Sequence, residues 1–61
     1  MTPPPLTPDE AARRLGLDKV AKHPERVILD MARRGDLRRI RVGRYTMIDA
    51  ESVERILQGE A

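Results

Sequence analysis

The chain has 61 residues, with no cysteine, one histidine and one aromatic residue, Tyr45. A chain of this length forms at most one small domain, whose core has to be aliphatic and held together without disulfides or thiolate-bound metal. The formal net charge is only +2, no apolar run is long enough to cross a membrane and no signal peptide is evident, so we expect a cytoplasmic protein.

The N-terminal part predicts an extended arm followed by a helix. Three consecutive prolines in residues 1–5 exclude a helix or a central strand, and this arm is either disordered or lies against a neighbouring molecule. From Leu6 to Gly16 the sequence carries a helix start and a glycine stop. Thr7 is placed as the N-cap, Pro8 occupies the first helical position, and Glu10 completes a capping box.

The connection to the next helix is less regular. Asp18 is placed to cap a single helical turn with Val20 and Ala21 facing inward. Pro24 disfavours helical backbone angles at His23, so we do not expect a continuous helix through this point. His23 is accordingly interpreted as a turn or N-cap residue rather than as a metal ligand.

A second helix is predicted from Pro24 to Arg34. Val27, Ile28 and Met31 recur at the spacing of one buried helix face. Gly35 ends this helix, because the residue after a last turn often needs a positive φ.

A two-stranded hairpin follows, with strands predicted at Arg38–Val42 and Tyr45–Ile48. A glycine at the first position of the Gly43-Arg44 loop favours a type II′ turn. Strict alternation places four apolar residues on one face: Ile40, Val42, Tyr45 and Met47. Ile48 then falls on the other face although it resembles a core residue; a bulge or a longer loop would resolve this conflict, and the sequence does not choose between them.

Asp49 is placed to cap a last helix, Ala50–Gln58, which ends at Gly59. Three helices and a two-stranded hairpin therefore predict a small α+β domain over residues 6–61, preceded by the arm. The predicted core consists of Leu6, Ala12, Leu15, Leu17, Val20, Ile28, Met31, Ile40, Ile48, Val53, Ile56 and Leu57.

Arginines cluster in the middle of the chain, where six of the twelve basic residues lie between Arg33 and Arg44 with one acid, Asp36, among them. Such clustering points to nucleic acid more strongly than the net charge does, because the local field attracts phosphates. A helix with a polar outer face beside a basic hairpin fits DNA, with the helix in the major groove and the hairpin along the backbone or minor groove. The alternatives are a solvated arginine face and an arginine bias inherited from a GC-rich genome.

The predicted DNA-binding residues are Arg13, Arg14, Arg26, Arg33, Arg34, Arg38, Arg39, Arg41 and Arg44. Glu25 and Asp30 are further candidates as acceptors for cytosine N4, although a solvated or salt-bridged carboxylate is the simpler explanation. Nothing in the sequence predicts an enzyme, a cofactor or a metal site. No Gly-rich phosphate loop or metal-ligand spacing occurs, and Tyr45 lies on the hairpin, where packing or phosphate contact is expected.

Three motifs follow one another in the chain: LTPDEAARRLGL, ARRGDLRRIRVGRY and IDAESVERIL. Their order resembles the excisionase-type winged helix-turn-helix domains related to the MerR family. In that pattern the first motif forms the first helix, the second ends a recognition helix and enters a hairpin wing, and the third closes the domain. The resemblance covers Leu6 to Leu57. The interval from Gly16 to Gly35 departs from it, being several residues longer and so enlarging the turn before the recognition helix.

The resemblance implies a double-stranded DNA partner and, for a small free-standing member, the role of a phage excisionase, or recombination directionality factor. Such a protein binds repeated sites cooperatively, bends DNA and directs a phage integrase towards excision. Lambda-like excisionases are thought to stack head to tail, which implies self-association on DNA and no membrane partner. The abundance of Arg, Ala and Pro suggests a phage of a GC-rich actinobacterial host, such as a mycobacteriophage, acting at the nucleoid in the host cytoplasm.

Two other functions fit the same residues. A small MerR-like transcriptional regulator of a phage or bacterium has the same fold, but such regulators carry a long dimerisation helix after the domain, and the sequence reaches Ala61 without one; we therefore expect the excisionase role. A protein-interaction module, whose arginines bind an acidic partner, predicts no salt-dependent binding to a DNA duplex.

Overall fold

The computed structural model describes residues 3–59. Residues 1–2 of the predicted arm and residues 60–61 of the predicted domain lie outside the described part. The elements follow in the order α1 (Pro8–Arg14), α2 (Leu17–Val20), α3 (Pro24–Arg34), β1 (Arg39–Val42), β2 (Tyr45–Ile48) and α4 (Ala50–Leu57). The α+β class and the antiparallel hairpin are confirmed, but the predicted number of three helices is wrong, since residues 3–59 contain four.

The additional helix is α2, a single turn that stays separate from α3. Gly16 adopts a φ of +76° after α1, and helical geometry starts again at the next residue. Ala21 is extended, and His23, at φ −130°, is the N-cap of α3 and lies outside the α region, as expected for a residue before proline. Val20 was predicted to face inward but is 81% exposed, because a one-turn helix presents one residue to the core and Leu17 occupies that position.

The core lies where α1, α3, β2 and α4 meet. Its cluster of buried side chains consists of Ala11, Ala12, Ile28, Leu37, Ile48 and Val53. The prediction missed Leu37, which enters the core because Gly35, at φ +92°, turns the chain back after α3. The N–H of Asp36 donates to the Met31 carbonyl at 2.9 Å and holds this turn.

Two further residues of the predicted core lie outside the cluster. Leu57 is 49% exposed, because Val53 and Ile56 occupy the inward positions of α4. Ile40 is half-buried and is not part of the cluster formed by the described residues, since it lies on the face of the hairpin opposite Ile48.

The hairpin has a regular register, with Val42 opposite Tyr45 and Arg39 opposite Ile48. Neither a bulge nor a longer loop is present in it. Gly43 has a φ of +61° and Arg44 a negative φ, so only the first loop residue is left-handed, as in a type II′ turn. The conflict in the sequence disappears because the alternating apolar face is not the face that reaches the core.

The N-terminal segment is fastened to the hairpin at Leu6. Its N–H donates to the carbonyl of Ile48 at 2.8 Å, and the N–H of Ile48 donates to the carbonyl of Leu6 at 2.7 Å. This antiparallel bridge makes Ile48 the point where the N-terminal segment, the hairpin and the core meet. In the described part of the arm, residues 3–5 are exposed and have no regular secondary structure.

The predicted capping box of α1 is confirmed. The N–H of Glu10 donates to Thr7 Oγ1 at 3.1 Å. In return, the Glu10 carboxylate accepts from the N–H of Thr7 at 3.2 Å and from the Thr7 hydroxyl at 3.1 Å. These two hydrogen bonds, the one from the backbone first, lower the pKa of Glu10 below its ordinary value.

Loss of this cap should be measurable and pH-dependent. We expect Thr7→Ala to lower the free energy of unfolding in urea at pH 7 by about 1 kcal/mol. Because the folded-state pKa of Glu10 is depressed, its ionised form stabilises the fold above the unfolded-state pKa, and this contribution is lost as the pH falls through the folded-state pKa. The difference between Thr7→Ala and the wild type should therefore narrow in acid. Thr46→Ala on the hairpin is the control, and a Thr7→Ala difference that stays constant in acid contradicts the expectation.

Candidate nucleic-acid interface

The outer face of α3 is presented to solvent as predicted. Arg26, Leu29, Asp30 and Arg33 are all exposed, while Ile28 on the opposite side is fully buried. Burial of Ile28 fixes the rotation of the helix about its axis. Long polar side chains on this face are therefore available to a groove of a nucleic acid.

The start of α3 adds a basic residue that was not predicted as part of the site. Lys22, Arg26 and Leu29 line a shallow groove there, together with the turn residues His23 and Pro24. The enlarged turn between α1 and α3 thus places a lysine next to the first arginine of the outer face. The only signal in the sequence was the extra length of that turn.

The hairpin arranges its arginines by strand alternation. Arg39 and Arg41 share one face of β1 with their cross-strand partners Ile48 and Thr46, because successive side chains of a strand point to opposite faces. Arg44 lies in the turn itself. All three arginines are exposed, so the hairpin carries positive charge along one face and at its tip.

Arg38 was predicted to begin the first strand but lies just before it. Its N–H donates to Ser52 Oγ at 3.2 Å, and its carbonyl accepts from the N–H of Asp49 at 2.9 Å. Ser52 Oγ also donates to the carbonyl of Asp49 at 2.7 Å, whereas the Asp49 side chain makes no capping hydrogen bond. The backbone of Arg38 is thereby fixed to the start of α4, and its side chain is exposed.

Four of the nine predicted arginines have carboxylate partners. The pairs are Arg13–Asp9 at 3.1 Å, Arg14–Glu54 at 2.5 Å, Arg33–Asp30 at 4.0 Å and Arg34–Asp36 at 3.3 Å. Every side chain in these pairs is at least 43% exposed, and exposed ion pairs contribute only about 0–1 kcal/mol to stability. A phosphate can therefore replace the carboxylate at little cost to the fold.

The other five predicted arginines have no carboxylate within 4.0 Å among residues 3–59: Arg26, Arg38, Arg39, Arg41 and Arg44. Each keeps the full set of guanidinium donors for a phosphate or a guanine. Since four of the five lie between residues 38 and 44, the hairpin and its entry carry the highest density of unpaired positive charge. Of the two acidic candidates, Asp30 faces Arg33 at 4.0 Å, which fits the salt-bridge explanation.

Helix α4 contributes a further arginine, Arg55, that was not among the predicted DNA-binding residues. Arg55 and Arg38 line one groove, whose apolar part includes Met31, Leu37 and Ile56. Its position could have been predicted from the helical spacing. Arg55 comes three residues after Ser52 and so lies on the same side of the helix.

Within residues 3–59 no group of three His, Cys, Asp or Glu side chains is placed to hold a metal ion. No helix in the same range is long and apolar enough to cross a membrane.

An exposed helix face followed by an arginine-rich hairpin, built around one small core, is the kind of surface that a helix-turn-helix domain offers to DNA. The chain matches the family model described as "Helix-turn-helix domain" over residues 5–61 and belongs to this family. Neither a curated protein nor a solved structure is significantly similar to the chain. Helix-turn-helix domains are DNA-binding modules, so the family match supports DNA binding without specifying one role within the family.

Proposed function

We propose that this protein is an architectural DNA-binding protein of the excisionase type. It binds repeated sites on double-stranded DNA cooperatively, bends the DNA and directs a phage integrase towards excision. The observation that carries the proposal is the concentration of unpaired arginines on the hairpin of a helix-turn-helix domain. The order of motifs from Leu6 to Leu57 supports the excisionase role in particular.

Helix α3 and the hairpin contact different parts of the DNA in this proposal. Helix α3 enters the major groove with its outer face, where Arg26 and Arg33 reach base edges or phosphates. The hairpin lies along the backbone and minor groove, where Arg39, Arg41 and Arg44 neutralise phosphates. Binding and bending are the whole of the activity in this proposal, and the protein itself catalyses no reaction.

Neighbouring copies contact one another on the DNA. A single module of this kind buries only about 600–1,000 Å² on DNA, so binding at physiological salt requires several copies. A head-to-tail contact repeats without closing, and it builds a filament along the duplex. The exposed segment at residues 3–5 and the ends of the outer helices are the surfaces available for this contact.

The array can be tested on duplexes with one site and with three sites, the site sequence being selected first from random DNA. We expect stepwise cooperative binding to the three-site duplex and a mobility minimum in permuted-site gel shifts when the sites are central. Sedimentation without DNA should give a monomer. A tight two-fold dimer that binds one palindrome without bending it contradicts the array and favours a MerR-like transcriptional regulator.

The recombination role needs a separate measurement. Excision of a plasmid-borne cassette by the cognate integrase should depend on the protein, and integration should be suppressed by it. If neither reaction responds although the protein binds the attachment-site DNA, the excisionase role is refuted and DNA binding is not.

A further inference from the structure

One face of the hairpin is apolar, and the half of it nearest the turn is exposed. The register places Ile40 opposite Met47 and Val42 opposite Tyr45, all on the face away from Ile48. Tyr45 is 68% exposed and Val42 49% exposed. None of the four belongs to the core cluster formed by the described residues, and Ile40 and Met47 are half-buried, so Val42 and Tyr45 are the exposed part of this face.

The opposite face and the tip of the same hairpin are basic. Arg39 and Arg41 alternate with the apolar residues along β1, and Arg44 lies in the turn beside the Val42–Tyr45 pair. A partner that covers the Val42–Tyr45 pair therefore also has to accommodate the three arginines of the hairpin. A surface that is apolar in one part and densely anionic next to it meets this requirement.

We propose that Val42 and Tyr45 are a minor-groove contact that bends the DNA. The inference rests on the proposed DNA binding and adds a second, apolar part to the hairpin's interface. The walls of the minor groove are deoxyribose rings with apolar C–H edges, and phosphates line its rims. The tip of the hairpin enters this groove with Val42 and Tyr45 against the sugars, while Arg41 and Arg44 reach the phosphates.

Bending of the DNA follows from the size of the hairpin that enters the minor groove. The minor groove of B-DNA is about 6 Å wide, which is narrower than a two-stranded ribbon with its side chains. A wedge of apolar side chains in the minor groove partly unstacks the base steps and kinks the duplex towards the major groove. The same residue pair thus supplies contact area and the deformation that an architectural protein requires.

Salt dependence separates the apolar contact from the arginine contacts. Removing apolar surface from water involves no release of counterions, whereas each phosphate neutralised by an arginine adds about one unit to the slope of log K against log salt. Loss of the apolar pair should lower affinity equally at every salt concentration. Loss of an arginine should change the slope.

The test variant is Val42→Thr combined with Tyr45→Thr, since threonine keeps the β-propensity of the strands and removes apolar surface. Its matched control is Val20→Thr, which changes an exposed apolar residue outside the hairpin. On a single-site duplex we expect the double variant to bind roughly tenfold more weakly, as for about 55 Å² of apolar surface left in water. The salt slope should be unchanged and the bend in permuted-site gel shifts smaller, and Val20→Thr should behave as the wild type. Thermal unfolding of all three proteins establishes that they fold alike.

Several outcomes overturn the inference. If the double variant keeps its single-site affinity and bend but loses cooperativity on three-site duplexes, the apolar face is an interface between protein copies. If the double variant binds more weakly and its salt slope is also shallower than that of the wild type, the pair acts only by positioning the arginines. If the wild type itself binds no duplex, the proposed function fails and the inference fails with it.

Discussion

Replacing Ile48 by alanine should lower the free energy of unfolding by about 2–5 kcal/mol, the usual cost of truncating a fully buried isoleucine. The Ile48 side chain is fully buried, and its backbone pairs with Leu6 through two hydrogen bonds. A domain of 61 residues has a total stability of only roughly 3–9 kcal/mol. We therefore expect the variant to be largely unfolded at 37 °C in circular-dichroism measurements and in urea titrations.

Met47→Ala is the matched control, because Met47 is the adjacent residue on the opposite face of the hairpin. It is half-buried and lies outside the core cluster of the described residues. Its truncation should cost about 1 kcal/mol or less, in the range of substitutions away from a packed core. Equal losses for the two variants would mean that the apolar face predicted from alternation is after all part of the core.

This pair of residues shows where sequence patterns succeed and where they fail. The capping box of Thr7 and Glu10 and the helix from Pro24 to Arg34 were predictable, because both depend on residues within one or two turns of each other. The core face of the hairpin was not. Alternation identified the more apolar face, but the position of Ile48 is set by its pairing with Leu6, which is distant in sequence.

Some properties of the candidate site were likewise predictable from the sequence, and others were not. That the arginines are exposed was predictable from residue type, since long charged side chains are almost never fully buried. The Arg13–Asp9 pair at four-residue spacing follows from the helix period. The Arg14–Glu54 pair does not, because it joins α1 to α4 across the domain. Which arginines stay unpaired therefore depends on the tertiary structure as well as on the local sequence.

Affinity for duplex DNA should fall steeply as salt is added. The unpaired arginines of the hairpin and its entry, together with Arg26 and Arg33 of α3, are expected to neutralise about four to six phosphates, which gives a slope of log K against log salt of roughly −4 to −5. Raising the salt from about 50 to about 200 mM should then weaken binding roughly 250- to 1,000-fold. Fluorescence anisotropy with a labelled single-site duplex measures this directly, and a flat response would contradict DNA binding.

Single variants show which arginines account for the slope. Arg44→Ala removes an unpaired arginine at the hairpin tip, so the slope should become shallower by about 1 for every duplex sequence. Arg13→Ala should change it less, because Arg13 already has the Asp9 carboxylate at 3.1 Å and fewer counterions leave when it meets a phosphate. Arg33→Ala should cost about 1–3 kcal/mol of binding and relax sequence preference, since it lies on the outer face of α3. If Arg13→Ala and Arg44→Ala change the slope equally, an ion pair with a carboxylate does not decide which arginines bind phosphate. If Arg44→Ala leaves the affinity unchanged, the hairpin is not part of the interface.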